Sequence, residues 1–170
     1  MKKIFKTIDA INEWMGTRLV KWLAVILVLV VTGEVFMRFV LDRPTTQGPM
    51  IAIWTGCVMY ALSWGYIHRH KGHVRVDIVY GRFSPKGKAI FDVICFIIFL
   101  LPFISLMSYA SLKWTWYAWS TWERTQETYW YPITGPARTL VFIGIALFTL
   151  QAIVQFIRDI YFAVRNKAYD

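Results

Sequence analysis

Apolar residues in this chain fall into four long runs, separated by short intervals that are polar, charged or aromatic. The first run, 19–41, would cross a hydrocarbon core about 30 Å thick with some tilt, at a rise of about 1.5 Å per residue. The second, 49–67, is free of charge and needs its flanks to span. It follows a short turn, Asp42 to Pro49, punctuated by Pro44, Gly48 and Pro49. The third, 89–112, begins after Ser84-Pro85, a capping serine followed by a residue suited to the first helical position, and Pro102 is expected to kink it. The fourth, 137–160, places Gln151 and Gln155 one turn apart, as a protein-facing stripe. The pattern predicts an all-α membrane protein with four transmembrane helices in one domain.

Two further segments have amphipathic spacing. In 1–18, Ile4, Ile8, Ile11 and Met15 recur at helical intervals, with Asp9, Asn12 and Glu13 elsewhere around the turn and Trp14 as an anchor. This predicts an interfacial N-terminal helix in the headgroup plane. In the hinge, 68–88, Val76, Val79, Tyr80 and Phe83 fall at i, i+3, i+4 and i+7, which predicts a second interfacial amphipathic helix with Asp77 in its first turn. A polar tail, 161–170, closes the chain.

Composition supports the membrane reading, since 57% of the residues are hydrophobic and the mean hydropathy is +0.45. The formal charge of +9 raises the question of nucleic acid, but the cations cluster beside the apolar runs, where anionic membrane lipids account for them and no nucleic acid is needed. With the N-terminus inside, the 1–18 segment, the start of the first span, the hinge and the tail hold fourteen of the nineteen Lys and Arg residues. Arg38, Arg43, Lys113, Arg124 and Arg138 remain outside. The bias predicts that both termini are cytoplasmic and that 113–136 lies on the opposite side. The N-terminal segment lacks the pattern of a cleaved signal and is expected to be retained.

Candidate chemistry is sparse. Glu34 and Arg38, four residues apart near the end of the first span, share a face and can pair, which lowers the cost of a carboxylate in the membrane. The two readings are an ion or proton site and a structural pair, and the structural pair is preferred. Asp92 is expected to serve the dipole at the start of the third span. His68, His70 and His73 cluster in the hinge, but Arg69, Lys71 and Arg75 crowd any cation, so no metal is expected. Cys57 and Cys95 sit in apolar runs as small hydrophobes. The interval 113–136 holds five of the nine tryptophans and three tyrosines, readable as an interfacial aromatic belt, as a docking surface, or as both.

The run Gly72-His73-Val74-Arg75-Val76-Asp77, followed by Ser84-Pro85, resembles the signature of the small membrane subunit of tripartite ATP-independent periplasmic (TRAP) transporters, the DctQ-like family. Glu34 to Arg38 followed by Phe39, the bulky second span from Trp54 to Trp64, and Leu150-Gln151 in the fourth span agree in order. At the start of the second span, where members often carry a Trp followed by an acidic pair, this chain reads Gly48-Pro49-Met50. The resemblance implies a small permease subunit of a secondary transporter in the bacterial inner membrane, neither an enzyme nor a cofactor carrier. It implies two partners, a large multi-spanning membrane subunit and a periplasmic substrate-binding protein, in sodium symport of an organic acid. Glu34, Arg38, His73, Arg75, Asp77 and Gln151 are the motif residues this reading singles out. Trp116, Trp119, Trp122, Glu123, Arg124 and Glu127 are expected to form the platform for the binding protein.

Two other classes stay in view. A self-sufficient proton-coupled multidrug exporter also has four spans and a membrane carboxylate, for which Glu34 is the candidate, but Glu34 lies late in its span beside Arg38. A haem-bearing redox anchor needs axial histidines on facing helices, whereas all three histidines here fall in one polar segment.

Overall fold

The computed structural model describes residues 2–70, 83–127 and 129–167. Six helices account for most of them: α1 (Lys2–Trp14), α2 (Val20–Phe39), α3 (Gly48–Arg69), α4 (Pro85–Cys95), α5 (Leu101–Ser120) and α6 (Gly135–Arg165). The only strand-like pairing among the described residues is a single bridge between Arg124 and Ile133. Joined through two wider turns, the helices form four segments long and apolar enough to cross a membrane, so the protein is all-α and four-spanning. The amphipathic helix expected at Val76–Phe83 lies almost wholly outside the described residues.

Local sequence explains where each helix starts and stops. The Ser84 side chain accepts a hydrogen bond from the Gly87 amide at 3.2 Å, and Pro85 occupies the first turn, so α4 begins with its exposed amides partly satisfied. Asn166, in the left-handed region at φ 52°, closes α6. The five residues Phe96–Leu100 form a π-type turn just ahead of Pro102, where the missing amide of the proline would otherwise interrupt the ladder. A second such turn, Met15–Leu19, carries α1 into α2 with helical dihedrals at both joints.

The bundle is built around α6. It packs against α3, α4 and α5, and α2 attaches to the outer side of α3. Gly144 of α6 lets the helix backbones come close at Ala61 of α3, where a Cβ at position 144 would lie 2.6 Å from the Ala61 carbonyl carbon. Such small-residue crossings let backbones meet where lipid supplies no hydrophobic drive between helices. The pair Ala52 and Gly56, which has the same spacing signature, does not serve within this chain, because nothing lies within 4 Å of a Cβ built on Gly56. Toward the α4 side, Phe96, Ile104, Phe148 and Ala152 form the core, flanked by Trp64, Leu100 and Phe156. Phe96 stacks on Phe156 at 4.2 Å between ring centroids, and Trp64 meets Phe148 edge-on at 6.1 Å. The Ser108 and Thr149 hydroxyls hydrogen-bond between α5 and α6 at 3.0 Å.

Burial is uneven. α3 and α6 bury most of the core side chains, whereas α2 buries none: Trp22 is 69% and Leu29 66% exposed. α1 is unexpected in another way. The face it turns to the bundle is Phe5, Asp9 and Asn12, while Ile4 and Ile11 point outward. α1 thus turns Asp9 and Asn12 to polar partners inside and leaves Ile4 and Ile11, together with Lys2, Lys3 and Lys6, on its outer side.

Gly144→Val is expected to lower stability by about 1–3 kcal/mol, the usual cost of overpacking, whereas Gly56→Ala is expected to be neutral. Thermal unfolding of both variants in one detergent checks this contrast.

Candidate functional site

Where α1, α3 and α6 end on the same side of the bundle, their buried polar side chains meet. The Asp9 carboxylate accepts from Arg158 twice, at 2.7 Å from Nη2 and 3.3 Å from Nη1, and from Gln151 Nε2 at 2.9 Å. The Gln151 oxygen accepts in turn from Asn12 Nδ2 at 2.9 Å. Arg69, at the end of α3, donates through Nη1 to the Asp9 backbone carbonyl and to Glu13 Oε2, both at 2.8 Å, and His70 Nε2 lies 2.9 Å from the same Glu13 oxygen. Asn12 and Gln151 are completely buried; both ends of the Gln151 amide are bonded to α1 and Asn12 Nδ2 is bonded to Gln151, while Asn12 Oδ1 has no hydrogen-bond partner. Gly65 of α3 makes room for this: a Cβ there would overlap the Asn12 side-chain oxygen. The cluster is a latch that fastens α1 to both central helices.

A second polar cluster closes the opposite end, between α5 and α6. Glu123 accepts from Arg138 Nη2 at 3.0 Å and from the Thr134 hydroxyl at 3.1 Å, and its backbone carbonyl accepts from the Thr134 amide at 3.0 Å. Arg138 also lies over the Trp114 ring, 4.6 Å from its centroid. Trp119 donates through Nε1 to Thr139 Oγ1 at 2.8 Å and covers Gly135, where a Cβ would come within 2.9 Å of the indole. The Thr125 amide reaches the Pro132 carbonyl at 3.1 Å, so the loop 121–134 is pinned across its width.

This geometry divides the six candidate docking residues. Trp119 and Glu123 are committed to holding the loop on α6. Trp116, Trp122, Arg124 and Glu127 are exposed, and Trp122 and Arg124 border one open groove with Tyr117, Gln126 and Tyr131. The turn from α2 to α3 lies at the same end. There Arg38 Nη2 donates to Glu34 Oε1 at 3.1 Å, the Thr45 hydroxyl donates to the other Glu34 oxygen, and the Gly48 amide donates to Thr45 Oγ1 at 3.0 Å. Glu34 thus ties the end of α2 to the first turn of α3.

Gln151 of the protein-facing stripe meets α1 of the same chain, which uses both ends of its amide. Asp92 faces a cleft of about 630 Å³ that is also bordered by His68, Phe96, Phe148, Gln155 and Asp159. His73, Arg75 and Asp77 lie outside the described residues. The sequence reading missed the latch residues Asp9, Asn12, Glu13 and Arg158. Their signal was present in the spacing: Phe5, Asp9 and Asn12 fall at i, i+4 and i+7, one face of a helix.

These observations define an integral membrane protein whose polar groups join helices to one another. Residues 27–161 match the family of the tripartite ATP-independent periplasmic transporters, DctQ component. That is most of the chain, and the chain belongs to this family. It is therefore a small subunit of a TRAP transporter, a component of a transporter. The match begins inside α2, so α1 and its half of the latch precede it. A comparison with curated proteins finds no match.

Asp9→Ala and Arg158→Ala are each expected to cost about 1.5–3 kcal/mol, the range for hydrogen bonds to charged groups. The double variant should cost at least about 0.5 kcal/mol less than the sum, because the two side chains share one interaction. Unfolding of the four proteins in mixed micelles measures the coupling.

Proposed function

We propose that this chain is the scaffold of its transporter, holding a large multi-spanning membrane subunit in place while that subunit moves substrate. The observation that carries this reading is α2. It is a full span that buries no side chain in its own bundle, and Gly56 of α3 also has an open side, with nothing within 4 Å of a Cβ built there. A neighbour built of many helices fits such a face. The remaining polar groups support a passive role, since the latch, the loop pins and the Glu34 turn are engaged within the chain.

The orientation follows from charge. We place the protein in the bacterial inner membrane with both termini cytoplasmic, because fourteen of its nineteen Lys and Arg residues then lie on the inner side. The loop 121–134 faces the periplasm in this arrangement. Its groove, with Trp122, Arg124 and Tyr131 at the rim, is offered to the periplasmic binding protein, and Trp116 extends that surface along α5. The transported substrate in this reading is an organic acid and the coupling ion is sodium, both handled by the partners. The exporter reading has no support: the family match points to a transporter component, and Glu34 is bonded to Arg38 and Thr45.

Purification of the tagged chain from its native membrane in mild detergent is expected to bring along a large polytopic protein in stoichiometric amount. Recovery of a homodimer alone would contradict the scaffold role. For the loop, Trp122→Ala with Arg124→Ala is expected to lower uptake at limiting binding protein by about five- to thirtyfold, the effect of losing an interface hot spot. Recovery of the complex should be unchanged. Trp119→Ala is expected to reduce uptake and also to loosen the loop, read as faster proteolysis within 121–134.

A further inference from the structure

α1 carries two grooves, one on each side of a ridge formed by Lys6, Ala10 and Trp14. One groove, of about 580 Å³, is lined by that ridge together with Thr7, Ile11 and Met15. The other, of about 760 Å³, adds Asp9, Glu13, Arg18, Arg69 and Arg158 to the same ridge. One groove is therefore apolar and the other cationic, and they share a wall.

The charges in the second groove do not balance. Four cations, Lys6, Arg18, Arg69 and Arg158, face two carboxylates, Asp9 and Glu13. Both carboxylates are already engaged by Arg69 and Arg158. Lys6 and Arg18 form no ion pair among the described residues, and both are exposed. Beside them Trp14 is half exposed, with its ring between the polar and the apolar side, the position an indole takes at a membrane boundary.

We propose that α1 holds an anionic phospholipid, with the phosphate in the cationic groove that Lys6 and Arg18 border and an acyl chain along the groove of Ala10, Ile11 and Met15. Charge complementarity selects the occupant. An uncharged ligand leaves the excess positive charge uncompensated, and a soluble anion leaves the apolar groove empty; one phospholipid with net negative charge fills both. The site does not depend on which partner α2 meets, nor on the direction of transport. It gives α1 a role beyond the latch, since the lipid side of the helix is then specified as closely as its protein side.

The test is native mass spectrometry of the full chain released from nanodiscs of equal phosphatidylglycerol and phosphatidylcholine. The unchanged protein is expected to retain phosphatidylglycerol in roughly thirtyfold preference, as two cations beside a lipid surface imply. Lys6→Gln with Arg18→Gln is expected to bring the ratio near one. Neither residue takes part in the latch, so the variant should keep its fold. Ala10→Glu, which places a negative charge on the ridge, is a second route to the same loss, while Lys113→Gln at the far end of the bundle should leave the preference intact. Equal retention of the two lipids by the unchanged protein overturns the site. So does a preference that survives the loss of both cations, or one that Lys113→Gln abolishes equally.

Discussion

The arrangement of this protein depends on one buried carboxylate. Asp9 sits where three helices converge, and its two oxygens receive Arg158 and Gln151, while Arg69 reaches its backbone carbonyl and Glu13 one turn on. A carboxylate withdrawn from water is costly unless it is paired and hydrogen-bonded, and here both conditions are met by residues remote in sequence. The consequence is geometric as much as energetic. Partners that come from α3 and α6 can satisfy Asp9 only when α1 lies in one register against both, so the polar contact selects a packing that lipid-like side chains alone would leave loosely determined.

The rest of the bundle divides the work between close packing and polar closure. Small residues set the distance between α3 and α6 at Gly144, and aromatic rings fill the side toward α4 and α5. At the opposite end Glu123, Arg138, Thr134 and Trp119 fix a loop that holds its remaining aromatics outward. Only α2 stands at the margin, packed on α3 and joined to it by the Glu34 turn, with no side chain of its own buried. A bundle rigid on one side and unfinished on the other suits a component of a larger assembly, which is where membership of the DctQ family places it.

Much of the fold was legible because hydrophobic run length speaks directly to a membrane span, and because Ser84-Pro85 marks a helix start on its own. The Gly-His-Val-Arg-Val-Asp run and the order of the supporting features pointed to the family. What periodicity alone did not reveal was what each helix face meets. The isoleucines of α1 were read as its membrane face, and Ile4 and Ile11 are exposed; spacing did not say that Asp9 and Asn12 on the other side are held by α3 and α6. Gln151 was read as protein-facing, but its partner lies 142 residues back along the chain, at Asp9. Trp119 and Trp122 likewise look equivalent in a tryptophan-rich stretch; only the position of Thr139 and Gly135 separates the structural ring from the exposed one.

The unbroken helical path from α1 into α2 has a mechanical meaning. The two helices and the turn between them run 38 residues, which at about 1.5 Å per residue is about 57 Å, well beyond the thickness of the hydrocarbon core. A rod of that length, held near its start by an ionic grip and resting on α3 farther along, can act as a lever. In the scaffold reading, a sideways push on α2 becomes torque at the contact of Asp9 with Arg158.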